Sequence, residues 1–133
     1  MAAIAYVDSS ALLKLIVREP ETSLLEAHLA HCEGLVVSHL ATVECGRALR
    51  RARNKRVLQT FEQVLEAIYL VEITPAILEQ AARLAPPNLR SLDAIHLATA
   101  LSIDDPRLEL LTYDQRLADA ARAQRLRVVH PGR

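Results

Sequence analysis

The chain has 133 residues, 51% of them hydrophobic and 24% charged, which suits one folded domain spanning 1–133 and excludes a disordered tail. Sixteen basic side chains balance sixteen acidic ones, so net charge selects neither a nucleic-acid nor a membrane partner. No apolar run approaches the ~20 residues of a membrane span, and with only Cys32 and Cys45 and no CxxC pair, reduced thiols in a cytoplasmic protein are expected.

Short apolar runs alternate with longer stretches of helical period. AIAYVD (3–8) reads as a first strand. SALLKLIVRE and ETSLLEAHLAHC read as helices separated by Pro20. GLVVSH (34–39) is a second strand, and LATVECGRALRRAR (40–53) a helix. KRVLQTFEQVLEAI (55–68) is another helix, with Val57, Phe61, Val64, Leu65 and Ile68 on one face. YLVEIT (69–74) is a third strand, followed by PAILEQAARLA, a helix with proline at its first turn. SLDAIHLATALS (91–102) is apolar nearly all round and should be a buried helix. LELLTY (108–113) is a fourth strand, DQRLADAARAQ a helix and RVVH (127–130) a short last strand. This alternation predicts an α/β fold with a mostly parallel sheet of about five strands and helices on both faces. Ligands bind such sheets outside the carboxyl ends of the strands. Gly34, Gly46 and Gly132 are the only glycines, which argues against a glycine-rich phosphate loop.

Four acidic residues fall at or near those carboxyl ends. Asp8 ends the first strand, and Glu44 lies about one turn into the helix after the second. Asp93 is in the first turn of the buried helix, and Asp114 follows the fourth strand. Each has an ordinary explanation: Asp8 (or Ser9) and Asp114 as helix caps, Asp93 as a complement to a helix dipole, Glu44 as a solvated residue. Together they are harder to explain separately. Glu44 and Asp93 sit in apolar surroundings, where an unpaired carboxylate is costly. Four close together would raise one another's pKa values. No lysine is near any of them in sequence, although an arginine could reach in through the fold. A hard divalent cation suits the set best, since Mg²⁺ or Mn²⁺ takes oxygen ligands.

The segments YVDSSALLKL, SHLATVECGRAL, RSLDAIHLATAL and LLTYDQRLADAA resemble the four signature segments of the PIN domain. More narrowly they resemble VapC toxins of VapBC toxin–antitoxin pairs, over about residues 4–130. The resemblance implies a metal-dependent endoribonuclease with Asp8, Glu44, Asp93 and Asp114 as its acidic quartet and Thr112 as a supporting hydroxyl. It implies in-line hydrolysis of an RNA phosphodiester. One or two Mg²⁺ or Mn²⁺ ions would bind Asp8, Asp93 and Asp114, while Glu44 ligates through a water or orients the attacking water. It also implies a homodimer and a VapB-like antitoxin whose tail enters the acidic groove, with an arginine able to take the place of the metal. Leu12, Leu13, Leu24 and Leu25 are a conceivable apolar surface for that partner.

Residues 47–56, RALRRARNKR, carry six basic side chains and no acidic one. Arg47, Arg50 and Arg51 continue the helix that bears Glu44 and are candidates for holding RNA phosphates, with Arg90 a weaker one. A solvated helix end complementing its dipole explains the same charges. Aromatic residues are too few for base stacking to dominate. His28 and His31 offer too few ligands for zinc and are expected at the surface. His96, three residues after Asp93, is expected as a hydrogen-bonded structural histidine, and Cys45 as a core residue. Two rival functions compete: a non-catalytic RNA- or antitoxin-binding module, and a phosphotransfer domain. The second fits poorly, since Ser10 stands where an Asp-x-Asp pair needs a carboxylate and Thr74-Pro75 where a receiver needs its phosphoacceptor.

Overall fold

The computed structural model describes all 133 residues. Its five strands form one sheet in the order β3-β2-β1-β4-β5. The strands are β1 (Ile4–Val7), β2 (Gly34–Ser38), β3 (Tyr69–Val71), β4 (Leu108–Leu111) and β5 (Arg127–Val129). Every pairing is parallel, with Val7 opposite Leu111 and Tyr6 opposite Val36. The chain steps outward from β1 through β2 to β3, then returns to place β4 on the other side of β1. That reversal puts a switch point between β1 and β4, where the flanking turns diverge and leave a crevice.

Seven helices connect the strands: α1 (Ser9–Ile16), α2 (Thr22–Leu29), α3 (His39–Arg51), α4 (Lys55–Glu66), α5 (Pro75–Arg83), α6 (Ser91–Ile103) and α7 (Gln115–Ala123). Alternation along β1 divides the core. Ala5 and Val7 pack with α1–α4 through Leu12, Leu25, Cys45, Leu49 and Phe61, whereas Tyr6 packs with Leu110 of β4 and with α6 and α7 through Leu97 and Leu117. The buried helix is as expected: Ala94, His96, Leu97, Ala98, Thr99 and Ala100 are all buried. Both cysteines are free thiols, and Cys45 is buried.

Several elements are shorter than their sequence pattern. Helix α1 ends at Ile16 instead of running to Glu19, because Pro20 disfavours helical backbone in the residue before it. Thr22 secures the break: its hydroxyl donates to the Lys14 carbonyl at 2.7 Å and accepts from the Glu19 N–H at 2.9 Å. Lys14 itself is buried and reaches Glu19 at 2.7 Å and Glu21 at 3.1 Å. Strand β3 stops at Val71, opposite Ser38; β2 ends there, so further residues of this edge strand have nothing to pair with. Leu12 and Leu25 are fully buried, which corrects the idea that they offer a partner an apolar surface. Both face the sheet, and of the four leucines only Leu24, 58% exposed, is broadly open to solvent.

The turns after β1, β2 and β4 end on residues that cap the next helix. Asp8 accepts from the Ala11 N–H, Ser38 from Leu40, and Asp114 from Arg116 and Leu117. Such caps contribute about 1 kcal/mol each. At two of the three the capping group is a carboxylate, and these two flank the switch point.

Candidate active site

Asp8, Glu44, Asp93 and Asp114 line a single cleft of about 340 Å³ at the carboxyl edge of the sheet, together with Ser9, Ser10, Arg90, Ser91 and His96. Four segments far apart in the chain thus deliver carboxylates to one place. Asp8 is 4% exposed. Its Oδ1 accepts from the Ala11 N–H at 3.0 Å and from the Ser10 hydroxyl at 2.7 Å, and its Oδ2 from the Thr112 hydroxyl at 2.6 Å. Thr112 also accepts from the Asp114 N–H at 3.0 Å. One buried hydroxyl therefore ties the end of β1 to the first turn of α7. Ser10 adds a second tie by accepting from the Tyr113 N–H at 2.9 Å. Asp8 and Asp114 each cap a helix through one oxygen, and the carboxylate of each also lines the cleft.

Glu44 is held differently. Its Oε1 accepts from the Ser9 hydroxyl at 2.5 Å and lies 2.8 Å from His96 Nε2. An ionised carboxylate has no proton to give, so Nε2 is the donor. His96 Nδ1 lies 2.9 Å from the buried Tyr6 hydroxyl. Burial first, and then the Asp8 charge, push the Tyr6 pKa far up, so the phenol keeps its proton. His96 is thus the structural histidine expected, but its partner is Glu44 and not the neighbouring Asp93. Ser9, Ser10 and Tyr6 were not singled out as site residues by sequence reasoning. The serines stand beside Asp8 in VDSS, where capping explains them equally well, and Tyr6 reads as an ordinary core residue.

The electrostatics show the strain that clustered acids must carry. Burial pushes the Asp8 carboxyl above the ordinary range, with hydrogen bonds from Thr112, Ala11 and Ser10 pulling the other way. Burial, then the charge of Asp114, raises Asp93, and Arg90 offsets only part of it. The Arg90 Nε is 3.8 Å from Asp93 Oδ2, so this arginine does reach the rim of the cleft through the fold. Glu44 goes the other way: burial raises it, but hydrogen bonds from His96 and Ser9 outweigh burial and hold it low. Perturbed carboxylates gathered in one cleft are a feature that active sites share.

A stability prediction follows from these directions. Asp8 and Asp93 have folded pKa values above their unfolded ones, so the native state binds more protons in that window. Stability is greatest below the unfolded pKa and falls as pH rises through the folded values. With chelator present, the protein should melt higher near about pH 5 than near about pH 8. Glu44, with a lowered pKa, withdraws its contribution only at more acidic pH. A thermal-melt series in EDTA that instead rises steadily from pH 5 to 8 would contradict the assigned directions.

The donor set suits a hard cation. Carboxylate and hydroxyl oxygens dominate it, and its imidazole is already engaged with Glu44 and Tyr6. The acids are not closed into a ready cage: the one trio of His, Cys or carboxylate side chains with ligand atoms within 4.8 Å of one another lies elsewhere, at His28, Cys32 and Glu109. An ion that keeps several waters and takes one or two carboxylates directly has no need of such a cage.

The basic residues of α3 adjoin the acids. Arg47, Arg50, Arg51 and Arg53 line a cavity of about 620 Å³ whose fifth wall residue is Glu44. The spacing puts Arg47 and Arg51, three and seven residues on, on the helix face that bears Glu44. Arg50 folds back along the helix, and a Cβ at Gly46 would stand 2.8 Å from its Nη1; glycine is what permits that approach.

Residues 5–123 match the family model for the PIN domain. The chain belongs to the PIN-domain family. Ribonuclease VapC46 of Mycobacterium tuberculosis is 40% identical over 131 residues, which cover 98% of this chain and 99% of that protein. Ribonuclease VapC35 of the same species is 43% identical over 131 residues, or 96% of each chain. Among solved structures, VapBC2 from Rickettsia felis, bound to a promoter DNA fragment, aligns with a TM-score of 0.75 at 10% identity, covering 96% of this chain and 98% of that one. A toxin–antitoxin complex from Klebsiella pneumoniae aligns with a TM-score of 0.67 at 25% identity, covering 84% and 87%. The all-parallel five-stranded PIN architecture is therefore shared across very low sequence identity. No helix is long and apolar enough to cross a membrane.

Proposed function

We propose that this PIN-domain protein is an endoribonuclease toxin, hydrolysing RNA phosphodiester bonds at the acidic cleft with Mg²⁺ or Mn²⁺. The observation that carries the proposal is the convergence of Asp8, Glu44, Asp93 and Asp114 from four separate segments on one cleft. Its ribonuclease-named relatives, matched along nearly their whole length, support the same activity. Residues 1–133 would act as one catalytic domain.

Asp8, Asp93 and Asp114 would hold the ion. When bound, it supplies positive charge for the phosphate and makes water easier to deprotonate. Glu44, with Oε1 fixed by Ser9 and His96, keeps Oε2 to orient the attacking water and accept its proton. In-line attack forms the new P–O bond as the bond to the leaving oxygen breaks. Arg47, Arg50 and Arg51 would hold flanking phosphates, and Arg90 would meet one at the cleft rim. The toxin–antitoxin complexes among its structural neighbours support a VapB-like antitoxin as partner, and we propose a homodimer acting in the cytoplasm.

The purified protein should cleave RNA in Mg²⁺ or Mn²⁺ and stop when EDTA removes the ion. Asp8→Asn should abolish the activity; cleavage equal to the parent's would assign it to a contaminant or to another site. Arg50→Ala with Arg51→Ala should weaken RNA binding without changing the metal requirement. The slope of log affinity against log salt should flatten by about 1.4, or ~0.7 for each lost contact to single-stranded phosphate. An unchanged slope would leave these arginines as solvated helix-end charges.

A further inference from the structure

A second group of metal-ligand side chains lies apart from the acidic cleft. Glu109 is the second residue of β4. Its neighbours Leu108 and Leu110 pack into the core against α6 and α7, so its carboxylate projects from the opposite face, where α2 lies. The side chain is only 9% exposed. His28, in the last turn of α2, brings Nε2 to 2.8 Å from Glu109 Oε1. Cys32 follows His28 by four residues, and its Sγ completes a trio whose ligand atoms all lie within 4.8 Å of one another. Sequence reasoning placed His28 at the surface because it saw only two histidines; the third and fourth groups to consider, Cys32 and Glu109, meet His28 only in the fold. His31 is exposed, as expected.

We propose that His28, Cys32 and Glu109 form a binding site for Zn²⁺ or a similar borderline transition-metal ion. Imidazole, thiolate and carboxylate are the three ligand types zinc takes, and three of them leave a fourth tetrahedral position for water or another ligand. A thiolate in the set disfavours Mg²⁺, so the two sites divide by ligand softness. Arg127 supports the geometry: its Nη1 is 3.6 Å from Glu109 Oε2, which steadies the carboxylate while Oε1 faces His28. Such an outer partner orients a ligand without occupying the site. Arg127 is 71% exposed, so solvent screens its charge and it competes weakly with a cation for Glu109. Burial, then the Glu109 charge, keeps the Cys32 pKa up; an ion would offset that charge and displace the thiol proton. Binding replaces the His28–Glu109 hydrogen bond: the neutral imidazole would ligate through Nε2 with its proton on Nδ1, and the Sγ proton would pass to solvent. The ion would staple the end of α2 to β4, roughly 10 Å along the strand from Thr112.

Cobalt titration of the full chain, first stripped of metal, tests this directly. A thiolate-to-cobalt charge-transfer band should grow to saturation at one equivalent, and Zn²⁺ but not Mg²⁺ should remove it. Cys32→Ser and His28→Gln should abolish the band. Cys45→Ser is the decisive control, because Cys45 lies beside Asp8 and Glu44 and could report an ion in the acidic cleft. The band should survive that substitution, and Arg127→Ala should weaken cobalt binding by about tenfold. Zn²⁺ should raise the melting temperature of the parent and of Cys45→Ser, but not of Cys32→Ser, whose metal-free melt shows whether it folds. Absence of a band, its persistence in Cys32→Ser, or its loss in Cys45→Ser would overturn the proposal. RNA cleavage in Mg²⁺ should be unaffected by Cys32→Ser, so this site and the proposed ribonuclease activity stand or fall separately.

Discussion

Asp93→Asn is expected to yield a folded protein whose RNA cleavage falls by roughly 10²–10³-fold, the scale seen when one preorganised charge-stabilising group is lost from an active site. The substitution keeps the shape of the side chain and removes its charge. In the free protein that charge is a liability: burial and the neighbouring Asp114 both oppose it, and Arg90 at 3.8 Å compensates only partly. Asp93→Asn should therefore melt above the parent in EDTA at neutral pH. The difference should shrink on acidification, as the parent's Asp93 takes up its proton. Adding Mg²⁺ should reverse the order, since an ion that binds only the native state stabilises it by mass action and the variant has lost a ligand. A single substitution that removes activity while stabilising the metal-free fold separates a functional carboxylate from a structural one. If the variant cleaves RNA like the parent, or melts below it in EDTA, Asp93 is not part of a cation site.

The same contrast explains what could be read from the sequence. The five strands and seven helices follow from alternation of short apolar runs with helical periods; right-handed crossovers narrow the topology, but the order of the sheet is set by packing in the fold. Asp8, Glu44, Asp93 and Asp114 were recognisable because each follows a strand or opens a helix in an apolar setting, and because their segments resemble those of the family. What stayed hidden depends on distance through space. His96 sits three residues from Asp93, and helix spacing alone would pair them, yet the packing of α3 on α6 gives it to Glu44. Leu12 and Leu25 look like half of an amphipathic surface, but α1 and α2 turn them against the sheet. The His28–Cys32–Glu109 trio joins α2 to β4 across a sequence gap that no local pattern spans. Element ends were misjudged at α1, where Pro20 opens a break that Thr22 secures, and at β3, which stops where β2 leaves it nothing to pair with.

Thr112→Val is expected to cost about 2 kcal/mol of stability, or roughly 6–10 °C in melting temperature for a domain of this size. Valine matches threonine in shape, so packing is nearly conserved and the loss is that of the hydroxyl. Thr112 is 1% exposed, and Asp8, to which it donates, is 4% exposed. Without that hydroxyl Asp8 Oδ2 loses a charge-assisted hydrogen bond in a place water scarcely reaches, and the Asp114 N–H loses its acceptor. The Thr112 bond also pulls the Asp8 pKa down against burial, so removing it raises that pKa further. The deficit should then be largest at neutral pH and diminish as acid protonates Asp8, because the lost bond favours the charged form. Activity should fall by about 10–100-fold, the range for removing a group that orients metal-binding residues. Thr112→Ser keeps the hydroxyl and loses one methyl; it should retain most activity and lose no more than about 1 kcal/mol. Equal damage from valine and serine would locate the role of Thr112 in its methyl group, and the tie between β1 and α7 would then owe nothing to the hydroxyl that joins Asp8 to the turn of Asp114.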